Sequence, residues 1–149
     1  MLIRQNGYDA TSVDNLCGAA GVTKGAFFHH FHSKEALAVA ATEFWTKVTS
    51  QVFETADYHL FEDPLDRLIG YIEFRAQLLQ GRSLPECTCL LGTMVQEKYD
   101  SNPAIREACE TGIVTHADHV AAMIIAAKAK HAPRATWTAE SLEIGRAHV

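Results

Sequence analysis

The sequence predicts an all-α fold in which a small helix-turn-helix unit leads into a larger helical domain, and three observations predict it. Beyond Leu37 apolar residues recur at steps of three or four as far as Ala127, the period of helices with one buried face. Nowhere does the chain show the strict alternation of a half-buried strand, or an internal repeat. Near its start, residues 21–37 (GVTKGAFFHHFHSKEAL) join a sharp helix end, a short glycine-containing helix and a second helix start. That is the arrangement a DNA-reading helix-turn-helix requires.

Taken in order, residues 8–20 (YDATSVDNLCGAA) supply the supporting helix: Thr11 is expected to cap it, Asp14 follows three residues later, and Val13 and Leu16 share one face. Gly21 permits the positive φ that ends a helix sharply. Thr23 is expected to cap the next helix and to place Lys24 and Gly25 in its first turn, where free N–H groups and the helix dipole favour a phosphate. Phe27 and Phe31, four apart, are expected to be core residues of the small unit rather than DNA contacts. A glycine inside a helix costs about 0.5–1 kcal/mol against alanine, and close approach of the backbone to DNA is a reason to tolerate one at Gly25. The competing reading of Lys24, Gly25 and His29 is a solvated helix face.

Leu37, Ala41, Phe44, Val48 and Val52 predict a long amphipathic helix leading out of this unit. After a turn at Glu62, Asp63 and Pro64, a second helix carries Leu65, Leu68, Ile69, Ile72, Ala76 and Leu79 and stops near Gly81. A third begins near Pro85 and is expected to bury Leu90, Leu91, Met94 and Val95. The fourth starts with Asn102 as cap and Pro103 at its first position, and runs through Ile105, Cys109, Ile113, His116, Val120, Ile124 and Ala127.

Residues Thr11, Ala20, Gly21, Val22, Thr23, Gly25, Phe27, His30, Phe31, Ser33, Lys34 and Leu37 give the chain a close resemblance to the TetR family of bacterial transcriptional regulators. Many fixed residue types at fixed offsets make such a match specific. The resemblance implies DNA binding by Thr23, Lys24, Gly25, Phe28 and His29 in or beside the major groove, with Thr11, His30 and Lys34 on the phosphates. Phe28 departs from the family pattern, which usually has Tyr there with its hydroxyl on a phosphate; the phenyl ring keeps only packing against sugar or a thymine methyl. The implied mechanism is repression of an operator, relieved when a small molecule binds among the later helices, shifts the helix carrying Leu37 and Val52, and changes the spacing of two reading heads. The function expected is therefore that of a ligand-responsive regulator, with double-stranded operator DNA, an effector and a second copy of the chain as partners.

The resemblance also predicts the division of the chain: residues 1–47 as the DNA-binding domain with its first helix cut short, residues 48–142 as the effector and dimerisation domain without its last helices, and residues 143–149 as a non-native tail. Written with permitted codons as GAG ATC GGA AGA GCA CAC GTC, that tail resembles a sequencing-library adapter. Because family dimers form through the last two helices, dimerisation is expected to be weak or absent in these 149 residues and DNA binding to be weak.

Charge fits with one qualification. The formal net charge is −5, yet Arg4, Lys24, Lys34 and Lys47 balance Asp9, Asp14, Glu35 and Glu43 over residues 1–47. A neutral head binds DNA weakly on its own, so two copies on two half-sites are expected. No run of eighteen apolar residues and no signal-peptide pattern occurs, which predicts a cytoplasmic protein whose four cysteines, Cys17, Cys87, Cys89 and Cys109, stay reduced.

Effector-pocket candidates are Trp45, Tyr71, Phe74, Met94 and His116. For His116, on the apolar stripe of its helix, a core histidine bonded to a neighbour competes with a ligand contact. The pairs Cys87 with Cys89 and His116 with His119 suit zinc in ligand type, but nothing in the sequence brings them together, and we assign no metal site and no cofactor. No nucleophile and base pairing, phosphate loop or carboxylate constellation is readable, so no catalytic residue is expected and the protein is read as a non-enzyme. The alternatives are a helical small-molecule carrier or a nonfunctional regulator fragment, neither binding DNA.

Overall fold

The computed structural model describes residues 2–142, and the expected tail at residues 143–149 lies outside them. Every regular element among the described residues is helical: α1 Leu2–Asn6, α2 Val13–Ala20, α3 Lys24–His30, α4 Lys34–Glu54, a 3-10 turn Asp57–Leu60, α5 Pro64–Leu79, α6 Leu84–Cys87, α7 Leu90–Lys98, α8 Pro103–His131 and α9 Ala139–Leu142. Among the described residues they form two compact units, one of residues 2–47 with residues 82–112, the other of residues 48–81 with residues 113–142. The units therefore cut across the sequential division at residues 48–142: the segment with α6, α7 and the start of α8 clusters with the head. Apolar periodicity reports that a helix is buried on one side, not which neighbour buries it.

In the first unit α1 packs on α6 and α7, and α2 packs on α3. Ile3, Tyr8, Cys17, Phe27, Ala38, Leu90, Leu91, Met94, Ile105 and Cys109 are its buried apolar residues. The cap of α2 is Ser12, not Thr11: the Ser12 hydroxyl accepts from the Asn15 N–H at 3.1 Å while the Asn15 side chain accepts from the Ser12 N–H at 2.9 Å, a reciprocal box that satisfies two otherwise open donors. Gly21 ends α2 at φ 67°, the left-handed conformation that glycine adopts without penalty. Gly7 (φ 88°) turns the chain beneath Glu97, whose carboxylate accepts from the N–H groups of Tyr8 and Asp9 at 3.1 and 2.8 Å. Asn102 caps α8 as expected, accepting from the Ile105 N–H at 3.0 Å.

The second unit is built on an aromatic cluster. Tyr58 and Tyr71 are buried with Ala56 and Met123, and Phe53, Leu68, Phe74 and Val120 pack against them. Asp63 ties the start of α5 to the end of α8: one oxygen accepts from the Leu65 N–H at 2.8 Å and from His131 at 2.7 Å, the other from Lys130 at 2.7 Å. The Lys130 bond first, then the Leu65 and His131 bonds, hold this carboxyl far below the usual carboxylate range. The expected apolar stripe of α5 needs correction. Leu65, Ile69, Ile72 and Leu79 are exposed, and the residues turned inward are Gly70 and Tyr71.

Candidate nucleic-acid interface

Helix α3 is short, capped and largely exposed. The Thr23 hydroxyl accepts from the Ala26 N–H at 3.2 Å, confirming the expected cap, and only Phe27 of the seven helical residues is buried. Phe27 holds Phe31 at 5.9 Å between ring centroids and meets Phe28 edge-on at 5.1 Å. Phe28 thus stands out on a ring-packed base, 52% exposed. Val22, which the sequence did not single out for DNA contact, is 45% exposed ahead of the same helix. Two such apolar groups beside a helix tip suit contact with thymine methyls.

A Cβ at Gly25 would meet only the Thr23 hydroxyl, at 3.7 Å. The fold thus has room for a side chain there and places none. His29 and His30 are both exposed, their rings 5.1 Å apart. Lys24 is exposed too, but its ammonium lies 2.9 Å from Asp14 on α2, and that hydrogen bond, then the charge of Asp14, raises the Lys24 pKa. A phosphate must displace a carboxylate to reach it.

Two expected phosphate contacts are placed otherwise. Thr11 is fully buried and its hydroxyl donates to the Gly7 carbonyl at 2.6 Å, because the turn out of α1 folds it inward. It offers DNA no surface. Lys34, at the start of α4, donates to the carbonyls of Tyr8 and Thr11 at 3.0 and 3.1 Å and lies 4.1 Å from the Tyr8 ring centroid. Its ammonium ties α4 to the turn ahead of α2, a tertiary role that an exposed-lysine reading of the sequence misses.

Residues 1–41 match the sequence profile of the family described as bacterial regulatory proteins, tetR family. The match covers the first 41 of the 149 residues, and over that stretch the chain is similar to TetR-family regulators. Over 40 residues it is 50% identical to the transposon Tn10 TetC protein of Escherichia coli, covering 27% of this chain and 20% of that one. Over 103 residues it is 28% identical to the HTH-type transcriptional repressor DhaR of Mycobacterium sp. (strain GP1), covering 68% of this chain and 49% of the relative. The chain therefore spans a fifth of one of these relatives and half of the other. Its fold is that of a TetR-family transcriptional regulator from Agrobacterium tumefaciens, with a TM-score of 0.80 at 19% identity over 95% of this chain and 73% of that one.

The five effector-pocket candidates divide between the units. Trp45 and Met94 belong to the first. Arg4 stacks 4.6 Å from the Trp45 ring centroid, and Met94 is fully buried with its sulfur accepting from Thr42 at 3.4 Å; neither stands open to a ligand. Tyr71, Phe74 and His116 belong to the second unit. The Tyr71 hydroxyl lies 2.8 Å from His116 Nε2, and Arg75 donates to that hydroxyl at 3.0 Å. Burial, then the charges of Arg75 and His119, push His116 down to about 4, so at neutral pH it accepts the Tyr71 proton in a hydrogen bond. This is the core-histidine arrangement. Cys87 and Cys89 lie in the first unit, His116 and His119 in the second, and Cys109 is pushed up to about 11, chiefly by burial.

Proposed function

We propose that the chain is a DNA-binding transcriptional regulator, a repressor that leaves its operator when a small molecule binds. The observation that carries the proposal is the surface of α3: a capped helix whose Gly25 is open and whose Phe28 stands exposed, inside the segment that matches the family profile. Thr23, Lys24, Gly25, Phe28 and His29 are assigned to the groove and its edges, and His30 to the phosphates. Residues 1–47 act as the reading domain and residues 48–142 as the effector and dimerisation domain. Two copies engage two half-sites, since one head adds little charge to its shape. The relative DhaR is named a repressor, which favours repression over activation. Coupling of about 1–3 kcal/mol between effector and DNA gives a 5- to 150-fold change in affinity. No step in this cycle needs a catalyst or a cofactor, and operator DNA places the protein in the cytoplasm.

The test is the salt dependence of binding to a duplex selected from a random-sequence pool, for the parent and Lys24→Ala. Loss of one phosphate contact lowers the slope of log K against log salt by about 0.9. A parent that selects no duplex at low salt would sink the regulator and leave the carrier.

A further inference from the structure

The second unit contains an open groove of about 560 Å³ beside the end of α4, the 3-10 turn and the middle of α5. Of the effector candidates expected from sequence, only Phe74 lines it. Its apolar lining residues are Val52, Ala56, Tyr58, Phe61 and Phe74. The Tyr58 and Phe74 rings are 5.9 Å apart at 53°. The Tyr58 hydroxyl donates to the Phe53 carbonyl at 2.9 Å and its side chain is buried, so the ring surface open to a ligand comes from the exposed Phe61 and the half-buried Phe74. Gly70 lets Phe61 lie close against α5: a Cβ there would stand 2.7 Å from the Phe61 ring and 3.0 Å from Tyr58 Cβ. The charged lining residues are Asp57 and Glu73, both exposed, and among the described residues no Lys, Arg or His lines the groove.

We propose that this groove binds an organic cation with an aromatic or apolar body. Its volume is that of a small-molecule site. Aromatic rings attract a cation through their faces, and two carboxylates at the mouth add attraction of the same sign. An anion of the same shape is repelled by both, which gives the site selectivity as well as affinity. The role of such a cation as effector rests on the regulator proposed above; the groove itself does not.

The experiment titrates the full 149-residue chain by calorimetry with tetraphenylphosphonium and with tetraphenylborate, which share four phenyl groups and differ in the sign of charge. The phosphonium is expected to bind and the borate not. Asp57→Asn and Glu73→Gln are each expected to weaken phosphonium binding about fivefold, the fold-change for an exposed charge pair worth about 1 kcal/mol. Gln77→Trp, which fills the groove from an exposed position, is expected to abolish binding with the helical circular dichroism unchanged. Equal binding of both ions overturns the proposal, and so does phosphonium binding that survives Gln77→Trp. A separate DNA titration with and without phosphonium distinguishes the two levels. Cation binding with DNA affinity unchanged upholds the groove and removes its effector role, whereas cation binding by a chain that selects no DNA upholds the groove and sinks the regulator alone.

Discussion

Replacing Gly25 with alanine separates folding from DNA contact. Gly25 is the second residue of α3 and does not have a positive φ, so alanine fits its backbone without strain. The new methyl carbon meets only the Thr23 hydroxyl, at the ordinary contact distance of 3.7 Å. Alanine is favoured over glycine within a helix by about 0.5–1 kcal/mol, and in the first turn we take the lower figure, about 0.5 kcal/mol. For a chain of this size that raises the melting temperature by about 1–2 °C. Against DNA the same methyl stands about 1.5 Å out from the Cα, where the proposed interface brings a sugar and phosphate. An overpacked contact costs about 1–3 kcal/mol, so affinity for the selected duplex is expected to fall about fivefold or more. Thermal unfolding and fluorescence anisotropy on one preparation read both quantities. A variant with raised melting temperature and parental DNA affinity would refute the close approach at Gly25. A lowered melting temperature would refute the packing argument instead.

Asp14→Asn releases Lys24 from its 2.9 Å ion pair, so a phosphate has no carboxylate to displace; DNA binding is expected to strengthen at low salt with the slope kept, and unchanged affinity means that Lys24 meets no phosphate. Lys34→Met removes two charge-assisted hydrogen bonds to carbonyls, and urea unfolding is expected to show a loss of about 2–3 kcal/mol with the salt slope kept; a slope lower by about 0.9 would restore Lys34 as a phosphate anchor. For pH, the His116 pKa is depressed on folding, from 6.5 to about 4, so the unfolded chain binds a proton that the folded one refuses. Its contribution is therefore full above pH 6.5 and lost as pH falls toward 4. Partial exposure reduces the loss to about 1–2 kcal/mol. His116→Gln keeps an acceptor for Tyr71 and is expected to flatten urea midpoints across that range, leaving the smaller slope of His119, which burial and then His59 also depress. A parent whose midpoint does not fall below pH 6 would contradict the burial of His116.

What sequence could show was local. Gly21, Thr23 and Asn102 lie where they were expected because a cap is decided by residues within four positions of itself. The shift from Thr11 to Ser12 is the same kind of signal misread by one residue: both hydroxyls were available, and Thr11 was taken by the Gly7 carbonyl. The two faces of α5 show the limit. Leu65, Ile69, Ile72 and Leu79 form as regular a stripe as Gly70, Tyr71 and their half-buried neighbours Leu68 and Phe74. Which face turns inward depends on Tyr58 in the turn before the helix and on Met123, far away in sequence. The same holds for the site. Family spacing found α3, whereas the pairing of Lys24 with Asp14 and the seating of Lys34 on two carbonyls are tertiary facts without a sequence signature.

Those pairings bear directly on how such a head would discriminate between DNA sequences. Lys24 is paired with Asp14, Lys98 with Asp9, Lys34 lies on backbone carbonyls, and Arg4 donates to the carbonyls of Glu86 and Thr88 while stacking on Trp45. Each of these four cations already has a partner within the first unit, so these four offer little sequence-independent attraction to phosphate. In the proposed regulator, contact by Phe28 and Val22 with base methyls would then carry a larger share of the binding, and that share would depend on sequence. A head of this kind would bind the wrong duplex poorly and the right one only moderately. Two copies on paired half-sites would multiply the moderate term while the nonspecific term stays small. Such a balance also makes release easy, because an effector worth only about 1–3 kcal/mol has little charge-driven affinity to overcome.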